Sequence, residues 1–370
     1  MRLLIVLFIG FLLYIIQSII FKKYWLKGLD VKIDFEKPII REGDKNALIE
    51  TIRNDKALFL PVLLLKFSIT RTFVFPKESN STVTDLYYRS DYFTCNPYQL
   101  ITRKYNFKAT KRGEYRISSI DIISKDIFLN KNTFATSLSD SSVLVLPSRI
   151  RNEDIPDNIF RFTGEVVKKI KLNEDPFEFR SIRDYQPYDS MNHINWKSSA
   201  KNEFLKVNTF NTTDRKNVVI LLNLDMNSLR STDALSEGSI RIASSLADLF
   251  IAEQIPVSLY TNGTDYDSKE AISVHSGCDK GHIANIDIAL ARISLKNKYK
   301  SFIKLVEEKV VEDKDVEYLI ISNYRKEDLM SKLEKYSKEG LNIYHIVPEL
   351  DGAHVNTNSN TFKWVIDGEN

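Results

Sequence analysis

The chain reads as a membrane helix, then an all-β sandwich of the immunoglobulin-like kind, then an α/β domain. Three observations predict this order: residues 3–21 form an almost unbroken apolar run, residues 29–146 break into short alternating segments, and residues beyond 217 alternate between strand-like and helix-like patterns. A length of 370 residues suits two domains, each able to bury its own core. With 52 basic and 49 acidic residues the net charge is only +3, so no global field would hold the chain on nucleic acid, and any charged partner is met locally. Cys95 and Cys278 lie far apart without metal-ligand spacing and read as separate buried thiols, which leans the chain toward a reducing compartment.

The first run holds Gln17 and Ser18 as its clearly polar members and spans about 28 Å as a helix, enough for a hydrocarbon core. It ends in Lys22, Lys23 and Lys27, with Tyr24 and Trp25 as interfacial anchors. A signal peptide is the competing reading, but no small-residue cleavage site follows the run. The basic cluster places the bulk of a single-pass protein in the cytoplasm by the positive-inside rule.

Between residues 29 and 146 the segments VKIDF, ALIETI, PVLLLKFSIT, RTFVF, ITRKYNFKA, YRISSIDIIS and SVLVL alternate or favour β-branched and aromatic residues. Turn-forming clusters separate them, and Gly113 supplies the backbone freedom for a turn into a strand. Residues 148–174 read as a charged linker with one amphipathic stretch.

Residues 175–201, DPFEFRSIRDYQPYDSMNHINWKSSAK, mix basic and aromatic residues without a core-like period. Gln186 to Asp189 marks a turn, and Asp189 or Ser190 would cap a short helix through Lys201. That helix would pack Ile194, Trp196 and Ala200 and present Lys197 and Lys201 on one face. A strand over 204–210 follows.

The run VVILLNLD then suits a strand buried on both faces. Helices are expected over 231–254, 282–295, 301–311 and 326–338, strands over 256–260, VEYLIIS and LNIYHIV, and Gly340 as a C-cap, which together make an α/β fold with a mostly parallel sheet. Ligands of such sheets bind at the carboxyl ends of the strands, here marked by Asp225 and Asn323. His275 and His282 read as surface residues in loop or helix-start positions.

Arg183, Tyr185, Pro187, Asp189, Ile194, Trp196, Ser199, Ala200 and Lys201 match R-x-Y-x-P-x-D-x-x-x-x-I-x-W-x-x-S-A-[RK]. In this motif, and in the plan of membrane segment, β domain and α/β domain, the chain resembles the bacterial family called domain of unknown function fifty-eight, whose members carry a von Willebrand factor A-like domain. The resemblance implies an anchor at 1–23, a sandwich at 29–147, a linker at 148–174, the family motif at 175–210 and a von Willebrand A-like domain at 211–370. Many members have a two-helix membrane hairpin where this chain has a single run.

The von Willebrand A fold often holds a divalent cation on a D-x-S-x-S loop. Here Asp225 is kept, Asn227 offers a carbonyl oxygen, Leu229 offers nothing, and Asn323 stands where a later aspartate is expected. Lost charge and lost ligands point to a retained fold with a lapsed Mg²⁺ site, and no other cofactor is expected. A nucleophilic arrangement of Asp189, His193 and Ser198 or Ser199 is crowded into one short segment without a supporting elbow motif. Stacking of bases on Tyr185, Tyr188 and Trp196 lacks the electrostatic footprint it would need.

The expectation is therefore a non-enzymatic, membrane-anchored interaction or adaptor protein. The resemblance implies a MoxR-type AAA+ ATPase as partner, with other von Willebrand A or transglutaminase-like proteins nearby, in cell-envelope assembly or stress function. The alternative is a divalent-metal-dependent receptor that captures an acidic ligand through Asp225.

Overall fold

The computed structural model describes residues 2–76, 81–83, 86–130, 132–172, 179–186, 191, 194–202, 204–210, 217–225, 232–297, 299–310, 315–350 and 360–366. The chain divides into two units, Met1–Ser148 and Arg149–Asn370.

The first unit opens with α1 (Arg2–Tyr24), a helix long and apolar enough to cross a membrane. Then come β1 (Leu29–Phe35), β2 (Ile39–Arg41), β3 (Lys45–Asn54), β4 (Leu60–Thr70), β5 (Phe73–Val74), β6 (Ser81–Val83), β7 (Leu86–Cys95), β8 (Leu100–Ala109), β9 (Gly113–Lys125) and β10 (Asn132–Leu146). They form a four-stranded sheet in the order β1-β3-β8-β5 and a six-stranded sheet in the order β2-β10-β9-β4-β7-β6. Alternate residues of both sheets, among them Leu48, Ile52, Leu63, Leu65, Phe93, Phe107, Ile120 and Val143, enclose one core, so the unit is a β-sandwich. Gly113 opens β9 at φ +140, a conformation closed to most side chains.

Strand β7 went unread in the sequence. Its inward positions hold Arg89 and Asp91 ahead of Phe93 and Cys95, while Tyr88 and Tyr92 face solvent, which inverts the usual pattern over its first half. Arg89 Nε donates to Asp91 Oδ2 at 3.0 Å, and its guanidinium lies 3.8 Å from the centre of the Tyr105 ring. Tyr105 donates its hydroxyl to Asp91 Oδ1 at 3.0 Å. Glu50, on β3 in the facing sheet and fully buried, completes the cluster. Burial, then the neighbouring Asp91 carboxylate, pushes the Glu50 carboxyl up to about 8.

The second unit contains α2 (Asp157–Leu172), β11 (Phe179–Asp184), α3 (Trp196–Asn202), β12 (Lys206–Phe210), β13 (Val218–Leu222), α4 (Thr232–Ala252), β14 (Val257–Asp265), β15 (Ala271–Gly277), α5 (Lys280–Ala291), β16 (Ile293–Ser294), α6 (Phe302–Lys309), β17 (Glu317–Ile321), α7 (Glu327–Lys338), β18 (Asn342–Leu350) and β19 (Thr361–Ile366). Its main sheet runs β15-β14-β13-β17-β18-β19, with β16 paired to β14. The pairs β14-β13, β13-β17, β17-β18 and β18-β19 are parallel, and β15 is an antiparallel edge. Val218, Ile220 and Leu222 pack with α2, α4 and α5 on one face; Val219 and Leu221 pack with α6 and α7 on the other. Burial on both faces explains why β13 is apolar at every position.

Several expectations change. The expected linker at 148–174 holds α2, whose Ile159, Phe162, Val166 and Ile170 are core residues of this unit. The Phe162 ring lies 4.4 Å from that of Tyr344 and 4.6 Å from that of Phe362. The strand expected over 256–260 continues through Asn262 and Gly263 to Asp265, because β15 and β16 pair with its second half. His282 is buried, donating from Nε2 to the Val257 carbonyl at 2.7 Å, while its backbone N–H is held by the capping carboxylate of Asp279. His275 lies exposed on β15, a strand and not a loop. Cys95 is buried and Cys278 partly so, both as free thiols.

Two outcomes are expected. Phe162→Ala lowers the unfolding free energy of the second unit by about 3–5 kcal/mol in denaturant melts; a change under about 0.5 kcal/mol, the size expected at a surface, would return the stretch to a linker. Glu50 binds its proton more tightly folded than unfolded, so stability falls as pH rises from its ordinary 4.5 toward about 8. Thermal melts of Glu50→Gln across that interval are expected to lack the decline, and an unchanged slope would exclude Glu50 as its source.

Candidate functional site

Strands β13 and β17 end level at Leu222 and Ile321, and Leu222 also pairs with Thr261 of β14, which runs on beyond them. The next residues, Asn262, Asn223 and Ser322, are therefore neighbours, and all three are buried. Asn223 Nδ2 donates to Ser322 Oγ at 2.9 Å, and Asn223 Oδ1 accepts from Asn262 Nδ2 at 2.8 Å and from the Asp225 backbone N–H at 3.0 Å. Asn262 Oδ1 accepts the Leu224 N–H at 2.9 Å, and Ser322 Oγ accepts the Tyr324 N–H at 3.0 Å. Below them His345 donates from Nε2 to the Ser322 carbonyl at 3.0 Å; burial pushes its imidazole down to about 4, so it is neutral at ordinary pH.

Among the described residues, Asp225 is the acidic ligand candidate at the rim of this crevice. Asp225 is exposed, and its charge adds to burial and the Asp328 hydrogen bond in raising the Tyr324 phenol above its usual pKa. Asn323 donates its amide to the Pro348 carbonyl at 2.7 Å, toward the end of β18. Asn227 and Leu229 lie outside the described residues. Among the described residues no group of three or more His, Cys, Asp or Glu could hold a metal ion. A hard divalent cation asks for several anionic oxygens, and amides already committed to one another and to the backbone do not fit it.

The motif segment is built differently. β11 and β12 pair antiparallel as a separate two-stranded sheet, with Arg183 opposite Val207 and Asp184 opposite Lys206. A third segment lies beside β12: Ile194 bridges to Val207, and the Asn195 N–H donates to the Lys206 carbonyl at 2.8 Å. Asn195 caps α3 by accepting the Ser198 N–H on Oδ1 at 2.9 Å. Ser199 donates its hydroxyl to the Asn195 carbonyl at 2.8 Å and accepts the Lys206 N–H at 2.8 Å, fastening helix to strand. Lys206 Nζ pairs with Asp184 Oδ1 at 2.5 Å, and Arg183 Nη1 donates to the Asp184 carbonyl at 3.1 Å.

This arrangement corrects the helix expected here. α3 begins only at Trp196, and Asn195 is its cap; Pro187, Asp189 and Ser190 lie outside the described residues. Ile194 is buried, but Trp196 is 64% exposed and Ala200, Lys197 and Lys201 are exposed too. Ile182, Met191, Phe204 and Leu205 join Trp196 as exposed large apolar residues, Phe204 at 72%. Tyr185, Phe204 and Leu205 line an open depression of about 510 Å³ with Asp184 and Lys206. The Ser199 hydroxyl is engaged with backbone, and His193 lies outside the described residues, so no nucleophile-base pair is assembled among the described ones.

No family model matches the chain, and no curated protein matches it. Among solved structures, the chain is similar to the CARDB domain of a Pyrococcus furiosus protein (14% identity, 32% of this chain and 90% of that one, TM-score 0.22). It is also similar to a cohesin-dockerin complex chain from Clostridium thermocellum (11% identity, 31% and 99%, TM-score 0.23) and to a type II cohesin domain from the Acetivibrio cellulolyticus cellulosome (11% identity, 32% and 94%, TM-score 0.23). At TM-scores this low, none of these likenesses bears on what the chain does.

Titration calorimetry with Mg²⁺ is expected to give no saturable heat on the full chain. A saturable isotherm that Asp225→Ala abolishes would restore the metal-dependent receptor.

Proposed function

We propose that the chain is a membrane-anchored, non-enzymatic adaptor of the domain-of-unknown-function fifty-eight type, which engages another protein through the motif segment of its von Willebrand A-like domain. The observation that carries this reading is the number of large apolar side chains left exposed on this hydrogen-bonded segment, Ile182, Met191, Trp196, Phe204 and Leu205, of which Phe204 and Leu205 line one depression with Tyr185. Aromatic residues ringed by polar ones are the composition of interface centres, and a preorganised backbone spares the ordering cost of binding. Exposed Arg183, Lys197 and Lys201 give the rim positive charge, which suits a partner face with carboxylates around an apolar centre.

The parallel sheet with helices on both faces supports the von Willebrand A-like reading. The neutral amide network at the strand ends favours an adaptor over the metal-dependent receptor. α1 supports anchoring with the bulk of the chain cytoplasmic, where a MoxR-type AAA+ ATPase would meet it, in cell-envelope assembly or stress function.

A pulldown of the full chain in detergent with the AAA+ ATPase, with and without nucleotide, is expected to retain the ATPase. Trp196→Ala removes about 2 kcal/mol or more if Trp196 is an anchor residue, a loss of about 30-fold in affinity. No association in either nucleotide condition, or undiminished binding by Trp196→Ala, would overturn the reading.

A further inference from the structure

The turn between β9 and β10 is built to display apolar side chains. Asp126 is buried and holds the turn, its carbonyl accepting the Leu129 N–H at 2.9 Å and its Oδ1 accepting the Asn130 N–H at 2.9 Å. Leu129 takes a left-handed φ of 59°, a conformation unusual for such a residue. The result is three consecutive exposed apolar residues, Ile127 at 50%, Phe128 at 56% and Leu129 at 53%. Such a run at a tight turn is a liability in water unless something covers it.

Its neighbour within the first unit identifies the cover. The Phe128 ring meets the Tyr14 ring edge-on at 5.3 Å, and Asn130 Nδ2 donates to the Tyr14 hydroxyl at 2.8 Å, so the turn is held against the middle of α1. One face of α1, continued by Trp25 just after it, docks on the sandwich: Ser18, Phe21 and Trp25 are buried, the last two within the sandwich core, and Tyr14 continues that stripe. The other faces remain apolar and exposed at Phe11, Leu12, Leu13, Ile16, Ile19 and Ile20. Lys22 and Lys23 are exposed at the end of the helix and mark the headgroup level. Tyr14 lies about 10 Å back from Phe21 along the helix axis, on the hydrocarbon side of that level.

We infer that Ile127, Phe128 and Leu129 form a second membrane-contacting element, which enters the acyl region beneath the headgroups of the leaflet on the Lys22 and Lys23 side of α1. Tyr14 is about 12 Å from Lys22 along the axis, so the turn beside it reaches past the headgroups. Two attachments, a helix through the bilayer and a turn dipped into it, set the height and tilt of the sandwich over the membrane. This inference rests on α1 spanning the bilayer.

Depth-dependent quenching by nitroxide-labelled lipids tests it on the full chain reconstituted in phosphatidylcholine and phosphatidylglycerol vesicles. Single environment-sensitive labels would sit at Ile127→Cys, at Leu12→Cys in α1, and at Arg71→Cys, which follows the end of β4 remote from the turn, each in a Cys278→Ser background. Quenching is expected at 12 and 127 and not at 71, with Phe128→Asp abolishing quenching at 127 while leaving it at 12. Quenching at 12 without quenching at 127 would overturn the inference and leave the spanning helix standing. Equal quenching at 71 and 127 would overturn it as general adsorption, and no quenching at 12 would remove the spanning helix and the inference together.

Discussion

A two-stranded ribbon with a seven-residue helix can bury few of its own apolar side chains, and that constraint shapes the surface of the second unit. Both faces of the main sheet are already covered by helices. The ribbon buries Ile194 against Val207 and leaves Trp196, Phe204, Ile182, Met191 and Leu205 in solvent. Backbone hydrogen bonds from Asn195 and Tyr185, with the Ser199 hydroxyl, hold those side chains on a fixed scaffold. An exposed apolar surface kept rigid costs stability in the free chain and lowers the cost of binding.

The two units treat buried polarity in opposite ways. The sandwich buries an ionisable cluster of Glu50, Arg89 and Asp91 between its sheets, where protonation of Glu50 and packing are coupled. The α/β unit closes the ends of its strands with neutral amides and a hydroxyl, each satisfied by a neighbour. A neutral, satisfied network specifies geometry without demanding a counterion.

Most of the layer plan was legible, because its signals are strong: an apolar run for α1, alternation for β1, β4 and β9, and the uninterrupted VVILL of β13. β7 was not, since Arg89 and Asp91 share its inward face with Phe93 and Cys95, and a period-two reading keyed to apolar residues places the two charges outside. α2 resembled a linker because charge surrounds its narrow stripe of Ile159, Phe162, Val166 and Ile170. The continuation of β14 past Asn262-Gly263 depends on pairing with β15 and β16, a tertiary fact that local turn chemistry cannot convey. At the motif, the residue types read as a capped helix that packs Trp196, whereas α3 starts only after the Asn195 cap and leaves Trp196 exposed.

The central claim, that the ribbon is the surface a partner covers, is tested most directly by hydrogen-deuterium exchange of the full chain with and without the AAA+ ATPase. The account predicts slower exchange over residues 194–207, with the strand-end residues 223–225 unchanged. Slower exchange elsewhere in the chain, with 194–207 untouched, would contradict it.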